Sequence, residues 1–238
     1  MSRGTVQNRT SFLNNIAEKM GRARVDHVER PVYKHRPQWE VYADATADEL
    51  LDVFKEQCQH IHTDVIEVEK SGVARAVAET FGRYQAESYL MWDDPRLKDV
   101  GLDDRFQEQM KQLDVDTFIW NPVSDDNIRV AEQATVGITY SDMTLAESGT
   151  VVLFSSSEKG RAVSLLPETY IAIIPKSSLV PRMTQATYEI HQRVENGERL
   201  PSCINFISGP SNSADIEMSL VVGVHGPVKA TYIVFDDE

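Results

Sequence analysis

The chain has 238 residues, 41% hydrophobic and 26% charged, the balance of a folded soluble protein long enough to bury a substantial core. Its 24 Lys and Arg stand against 37 Asp and Glu, a formal net charge of −13, which repels a DNA or RNA backbone over most of the surface and sets nucleic acid aside as a partner. Two cysteines, Cys58 and Cys203, fall short of the four thiolates of a typical iron–sulfur cluster or Cys-rich zinc site, and no apolar run approaches the length of a membrane span or signal-peptide core, so a cytoplasmic protein is expected.

Residues 5–20 set Phe12, Leu13, Ile16, Ala17 and Met20 at helical spacing with polar residues between them, predicting an amphipathic helix. Arg22, Arg24, Arg30, Lys34 and Arg36 follow with His27, His35, Pro31 and Pro37 and no period: a basic linker in an acidic chain. It reads either as a docking strip for an acidic partner or as a solvated arm over the chain's own acidic surface, and the weakness of surface ion pairs favours the second. An N-terminal helix and linker over 1–38 and one domain over 39–238 are the expected organisation.

After Trp39 the pattern becomes regular. Thr46-Ala47-Asp48-Glu49 is a capping box opening a helix over about 47–59 that carries Leu50, Leu51, Phe54 and Cys58. Strand and helix patterns then alternate: a strand over 64–68, a helix over 71–83, a strand over 88–92, a helix over 103–113, a strand over 117–120 and a helix over 124–133. Such alternation requires crossover connections, the signature of a parallel sheet with helices on both faces, so the fold class is α/β. From 134 to 174 extended runs follow one another (136–139, 149–154 and 170–174), which predicts a small antiparallel insertion beside the main sheet. A helix over about 181–196 comes next, and the chain ends on a strand over 230–235.

The richest stretch lies before that last strand. An apolar strand from Ile204 leads into Gly209-Pro210-Ser211-Asn212-Ser213, and a second corner, Gly223-Val224-His225-Gly226-Pro227, follows. Asn212 with Asp215 three residues on predicts a capped helix from Asp215 to Leu220, and a helix N-terminus there would favour an anion such as a carboxylate or phosphate. Asp215 and Glu217 in its first turn oppose an anion and suit hydroxyls, which keeps a nucleotide-like ligand open.

Three segments together carry a family resemblance: 140–150, with Ser141, Asp142 and Ala146-Glu147-Ser148-Gly149-Thr150; Leu165-Leu166-Pro167 with its following strand; and 209–217 with 223–227. In order and joint presence they resemble the lactate utilization protein C (LutC) family and its LUD domain. The resemblance implies a Rossmann-like, mostly parallel sheet of the NagB/RpiA/CoA-transferase type. It also implies a part in oxidising L-lactate to pyruvate beside two cluster-bearing partners, lactate utilization proteins A and B, so that redox centres sit in the partners and not in this chain. Fold does not settle chemistry, since this architecture hosts isomerases, acyl transferases and ligases.

Glu147 and His225 are the candidate catalytic pair. Glu147 opens a strand beside a tight turn, a position suited to proton transfer, and resembles the Glu-x-Gly segment that supplies the nucleophile in CoA-transferases. The alternative is a carboxylate that only accepts turn N–H groups. His225 stands between glycines, where an imidazole suits proton exchange near neutral pH or simply braces two strand ends. Ser141, Asp142, Ser211, Asn212, Ser213, Asp215, Glu217 and Gly226 are candidate ligand-binding positions, and Arg161, after a Ser-rich loop, is a further candidate to clamp a carboxylate or to pair on the surface. Cys58-x-His60-x-His62 lacks a fourth ligand and is not read as a metal site. The expected function is a non-cluster component of an iron–sulfur lactate-oxidising system that binds a small carboxylate or organic cofactor of unknown identity. A stand-alone acyl or CoA transferase using Glu147, or a scaffold without chemistry, are the alternatives.

Overall fold

A computed structural model describes residues 5–29, 31–216 and 219–237. The chain divides into two compact units, Met1–Pro37 and Gln38–Glu238. The first holds helix α1 (Arg9–Lys19) and, after it, Arg24 bonded to Asn14 at 3.2 Å and to Asp26 at 2.8 Å.

In the second unit α2 (Ala47–His60) starts on the expected capping box: the Thr46 hydroxyl accepts from the Glu49 N–H while the Glu49 carboxylate accepts from the Thr46 N–H at 2.8 Å. The chain continues through β1 (Thr63–Glu69), α3 (Val73–Tyr84), β2 (Ser88–Met91), α4 (Pro95–Asp99), α5 (Asp104–Gln112), β3 (Asp116–Ile119), α6 (Asn127–Gln133) and β4 (Val136–Tyr140). The Met143–Leu145 (β5) and Thr150–Phe154 (β6) hairpin follows, then α7 (Ala162–Leu165), β7 (Thr169–Pro175), β8 (Leu179–Val180), α8 (Met183–Glu195), β9 (Ile204–Ser208), β10 (Asn212–Ile216), β11 (Ser219–Val222) and β12 (Lys229–Asp236).

Among the described residues the strands form three sheets: a six-stranded sheet in the order β1-β12-β7-β4-β2-β3 with every pairing parallel, a four-stranded sheet β8-β5-β6-β9, and the hairpin β10-β11. Consecutive strand residues face opposite ways, and β12 shows which helices cover which face. Phe54 of α2 stacks on Tyr232 at 5.7 Å, whereas Tyr84 of α3 shares a 2.6 Å hydrogen bond with Thr231. Helices α2 and α3 therefore cover opposite faces, and the α/β fold with helices on both sides stands. Phe54 is fully buried, and truncating such a ring costs about 3–5 kcal/mol.

The small sheet makes a third layer on the α2 side. Val151 and Leu153 join the main core, while Met143, Leu145, Val152 and Phe154 form a separate cluster with Ala186 of α8. Apart from the parallel β5–β8 pairing it is antiparallel. The expected insertion is thus real but narrower than the sequence suggested, because β4 and β7 belong to the central parallel sheet. Every residue of both strands is buried, so they carry the unbroken apolar runs of strands covered on both faces. Gly137 makes room for this: a Cβ there would lie 1.9 Å from the Val163 carbonyl oxygen of α7.

A second correction concerns residues 212–222. The expected helix from Asp215 is the hairpin β10-β11, with Asn212 opposite Val222 and Ser213 opposite Val221. Among the described residues no helix N-terminus stands there to attract an anion, and Asn212 is a strand residue, not a helix cap. Asp215 falls within β10, and Arg30 and Glu217 lie outside the described residues.

Candidate functional site

The chain steps from β2 to β3 on one side and then returns to place β4 on the other side of β2. The sheet order reverses between β2 and β4, and in open α/β sheets ligands settle outside the carboxyl ends of the strands at such a point. Here those ends carry a charge cluster. Asp94, three residues past β2, caps α4 by accepting the Arg96 N–H at 3.0 Å and grips the Arg96 guanidinium through Nε and Nη2, at 2.6 Å for the latter. Arg96 Nη1 reaches Asp142, two residues past β4, at 2.9 Å, and Arg96 Cζ lies over the Tyr140 ring at 4.3 Å. Asp142 also accepts the Phe154 N–H at 2.7 Å and lies 3.6 Å from Lys159 Nζ.

Burial alone would raise the Asp94 pKa, but the hydrogen bonds and charge of Arg96 outweigh it and hold the carboxyl below its usual value. Burial likewise works against the Arg96 charge, and Asp94 and Asp142 together overcome it. The crevice over this cluster has a volume of about 390 Å³ and includes Asp93 and Glu158 in its wall. Ser141 does not face it. Its hydroxyl is buried, donates to the Met143 carbonyl and shares a 2.9 Å bond with Thr144, so it fixes the corner from β4 into β5.

Beside the crevice the loop 155–161 is strapped to the sheet by two indoles. Trp92, directly after β2, donates to the Gly160 carbonyl at 2.9 Å, and Trp120, directly after β3, donates to the Ser157 carbonyl at 2.9 Å. Gly160 is required: a Cβ would lie 2.1 Å from the Trp120 ring. A second pocket of about 390 Å³ lies along this loop, lined by Ser155, Ser156, Lys159, Arg161 and Cys203 among others.

The two glycine-punctuated corners meet at the opposite, amino edge of the sheet. The Ser211 N–H donates to the Pro227 carbonyl and the Gly223 N–H to the Ser211 carbonyl, each at 2.8 Å, while the His225 N–H donates to the Ser211 hydroxyl at 3.2 Å. A pocket of about 280 Å³ there is lined by Ser208, Ser211, Asn212, His225, Gly226 and Tyr170 among others. Gly209 adopts φ +67°, and a Cβ on it would lie 2.7 Å from the Ile61 carbonyl oxygen. This pocket has hydroxyls, an amide and an imidazole but no lysine or arginine in its wall.

The LUD domain profile matches residues 51–235, nearly the whole of the second unit. The chain belongs to the LUD domain family. Lactate utilization protein C of Shouchella clausii is 57% identical over 98% of this chain and 100% of its own. The proteins of the same name from Geobacillus thermodenitrificans and Bacillus subtilis are 52% and 51% identical, each with both chains fully covered. A crystal structure of a DUF162 family protein from Deinococcus radiodurans shares the fold, with a TM-score of 0.54 at 17% identity over 80% of this chain and 98% of that one.

Within the LUD domain the candidate residues divide between the two sheet edges. Asp142 belongs to the carboxyl edge, and Ser211, Asn212, His225 and Gly226 share the amino-edge pocket. Glu147 is not among the residues lining that pocket. Its N–H donates to the Pro181 carbonyl and its carboxylate accepts from Arg182 Nε at 2.8 Å. The link between them is indirect, a chain of hydroxyls from Ser148 through Thr150 to Ser208 with steps of 2.7 Å. Glu147 and His225 thus occupy separate surroundings and not the two walls of one cleft.

Sequence reading missed Asp94, Arg96, Lys159, Trp92 and Trp120. Asp94-Pro95 after a strand is a legible helix start, and a Trp directly after two neighbouring strands was a usable signal; the ion pairing across 46 residues was not. Nor do the cysteines suit a cluster in this LUD domain. Cys58 is sealed in the core, where burial pushes its thiol up to about 12, and Cys203 stands ahead of β9. No helix among the described residues is long and apolar enough to cross a membrane.

Proposed function

We propose that this chain is the non-cluster component of a lactate-oxidising system: it binds a small carboxylate and docks partners whose iron–sulfur clusters take the two electrons released as L-lactate becomes pyruvate. The observation that carries the reading is identity of 51–57% over essentially the full length to proteins named lactate utilization protein C. Identity at that level over essentially the full length of both chains makes a common role the economical reading. Two cysteines, fewer than the four thiolates of a typical cluster, support the reading that the partners ligate the clusters.

Removing the gene from its host tests this. Growth on L-lactate as sole carbon source should stop while growth on pyruvate continues, and the intact gene should restore it; undiminished growth on L-lactate would overturn the reading. Single replacements Glu147→Gln and His225→Asn in the restoring gene, with folding checked by circular dichroism, separate chemistry from scaffolding. Full growth with both variants would assign Glu147 and His225 structural roles.

A further inference from the structure

We propose that the pocket along the loop 155–161 is the carboxylate-binding site, with Arg161 and Lys159 holding a small 2-hydroxy or 2-oxo carboxylate. This rests on the preceding reading that the chain binds such a ligand; it makes Arg161, a secondary candidate in the sequence, the principal ligand-holding residue and adds Lys159 beside it.

Charge is the first argument. In a chain of net charge −13, this pocket gathers a lysine and an arginine and has no carboxylate in its wall. Glu158, the nearest acid in sequence, lines the neighbouring crevice instead and is bonded to the Ser156 and Ser157 hydroxyls. Among the described residues the Arg161 guanidinium makes no ion pair; its one side-chain hydrogen bond there runs from Nη1 to the Cys203 sulfur at 3.9 Å. A planar fork of donors without a protein carboxylate suits an external one, gripped through two parallel N–H bonds.

Pre-organisation is the second. Lys159 is only 19% exposed, lies 5.6 Å over the Trp92 ring, and leans toward Asp142, whose charge is already shared with Arg96. The two indole straps and the Ser155 bonds to the Cys203 carbonyl, 2.8 Å from the hydroxyl and 3.1 Å from the N–H, fix both walls before any ligand arrives. Holding the walls in advance lowers the ordering cost of binding. In this geometry Arg161 takes the carboxylate, and Lys159 donates to the oxygen on the adjacent carbon. The amino-edge pocket has no lysine or arginine among its described lining residues.

The test is calorimetric titration of the full chain with L-lactate, pyruvate and inorganic phosphate, repeated on Arg161→Gln, Arg161→Lys and Lys159→Gln. A second readout is the rate at which iodoacetamide alkylates Cys203, which lines the same pocket while Cys58 is buried. Expected results are saturable binding of L-lactate or pyruvate that slows Cys203 alkylation, a dissociation constant raised at least tenfold by Arg161→Gln and Lys159→Gln, and an intermediate value for Arg161→Lys. Wild-type binding with constants unchanged in all variants and no protection of Cys203 would overturn the site while leaving the proposed function standing. Phosphate binding more tightly than either carboxylate would overturn the ligand class. Absence of binding by the wild-type chain, alone and with its partners, would overturn the site and the ligand-binding part of the proposed function together.

Discussion

Replacing Asp94 by Asn removes the negative charge from the fork that holds Arg96 at the carboxyl edge. The asparagine oxygen still caps α4, so the loss isolates the ion pair. Asp94 is only 5% exposed and Arg96 34%, which places the pair between a surface bridge, where little is lost, and a fully buried one, where removing a partner costs about 3–5 kcal/mol. Arg96 keeps Asp142 at 2.9 Å, so the expected loss is about 2–3 kcal/mol. For a domain near 200 residues that is a fall in melting temperature of roughly 5–10 °C. Because the folded Asp94 pKa is depressed, its contribution is present above the unfolded carboxyl value of about 4 and fades as the pH falls below it. Urea denaturation from pH 3 to 7 should therefore show the wild type losing its advantage over the variant toward pH 3. Asp93→Asn, whose partner Lys98 lies 3.4 Å away on the surface, is the control and should cost under about 0.5 kcal/mol. An Asp94→Asn loss no larger than the control's, or one independent of pH, would refute the argument.

Gly137→Ala forces a Cβ against the Val163 carbonyl beneath α7 and should destabilise by about 3 kcal/mol, read as a lower denaturation midpoint; a midpoint within error of wild type would show that α7 shifts freely. Ellman's reagent should titrate one thiol quickly in the native protein, Cys203, and two in denaturant, whereas two fast native thiols would contradict the burial of Cys58. Burial raises the pKa of Tyr84, Tyr89, Tyr140, Tyr170 and Tyr232, Tyr140 to about 12. Their unfolded forms ionise near 10, so stability is full below that pH and lost as the pH rises toward 12. Ultraviolet titration at 295 nm should show five of the eight phenols ionising only with unfolding; ionisation of all eight in the folded protein in one step near 10 would refute it.

The sequence made the α/β alternation legible because each element carries its own local signal: the Thr46–Glu49 box, the apolar stripe of α3, the spacing of α5. What stayed hidden depended on partners far along the chain. β4 and β7 lie next to each other in the sheet but each residue of β4 pairs with one 33 positions further on, as Val136 does with Thr169, so the runs between them look like a meander when read locally. The stretch after Asn212 has a helix-like cap signal, yet Ser213 pairs antiparallel with Val221 and the stretch is a hairpin, flanked by Gly209 and Gly223 at positive φ. At the site, the glycine corners were legible as turns and do share a pocket. Of the carboxyl-edge cluster only Asp142 was legible, because no local pattern marks Arg96 or Lys159 until the fold sets both against Asp142 and Lys159 over Trp92.

The central claim is that this chain is indispensable to a lactate oxidation whose electrons travel through other proteins. Its most direct measurement is pyruvate formed from L-lactate by the two purified cluster-bearing partners, with a dye as terminal acceptor, with and without an equimolar amount of this chain. The account predicts turnover only in the three-protein mixture and none from this chain alone. Equal turnover by the partners without it would contradict the claim.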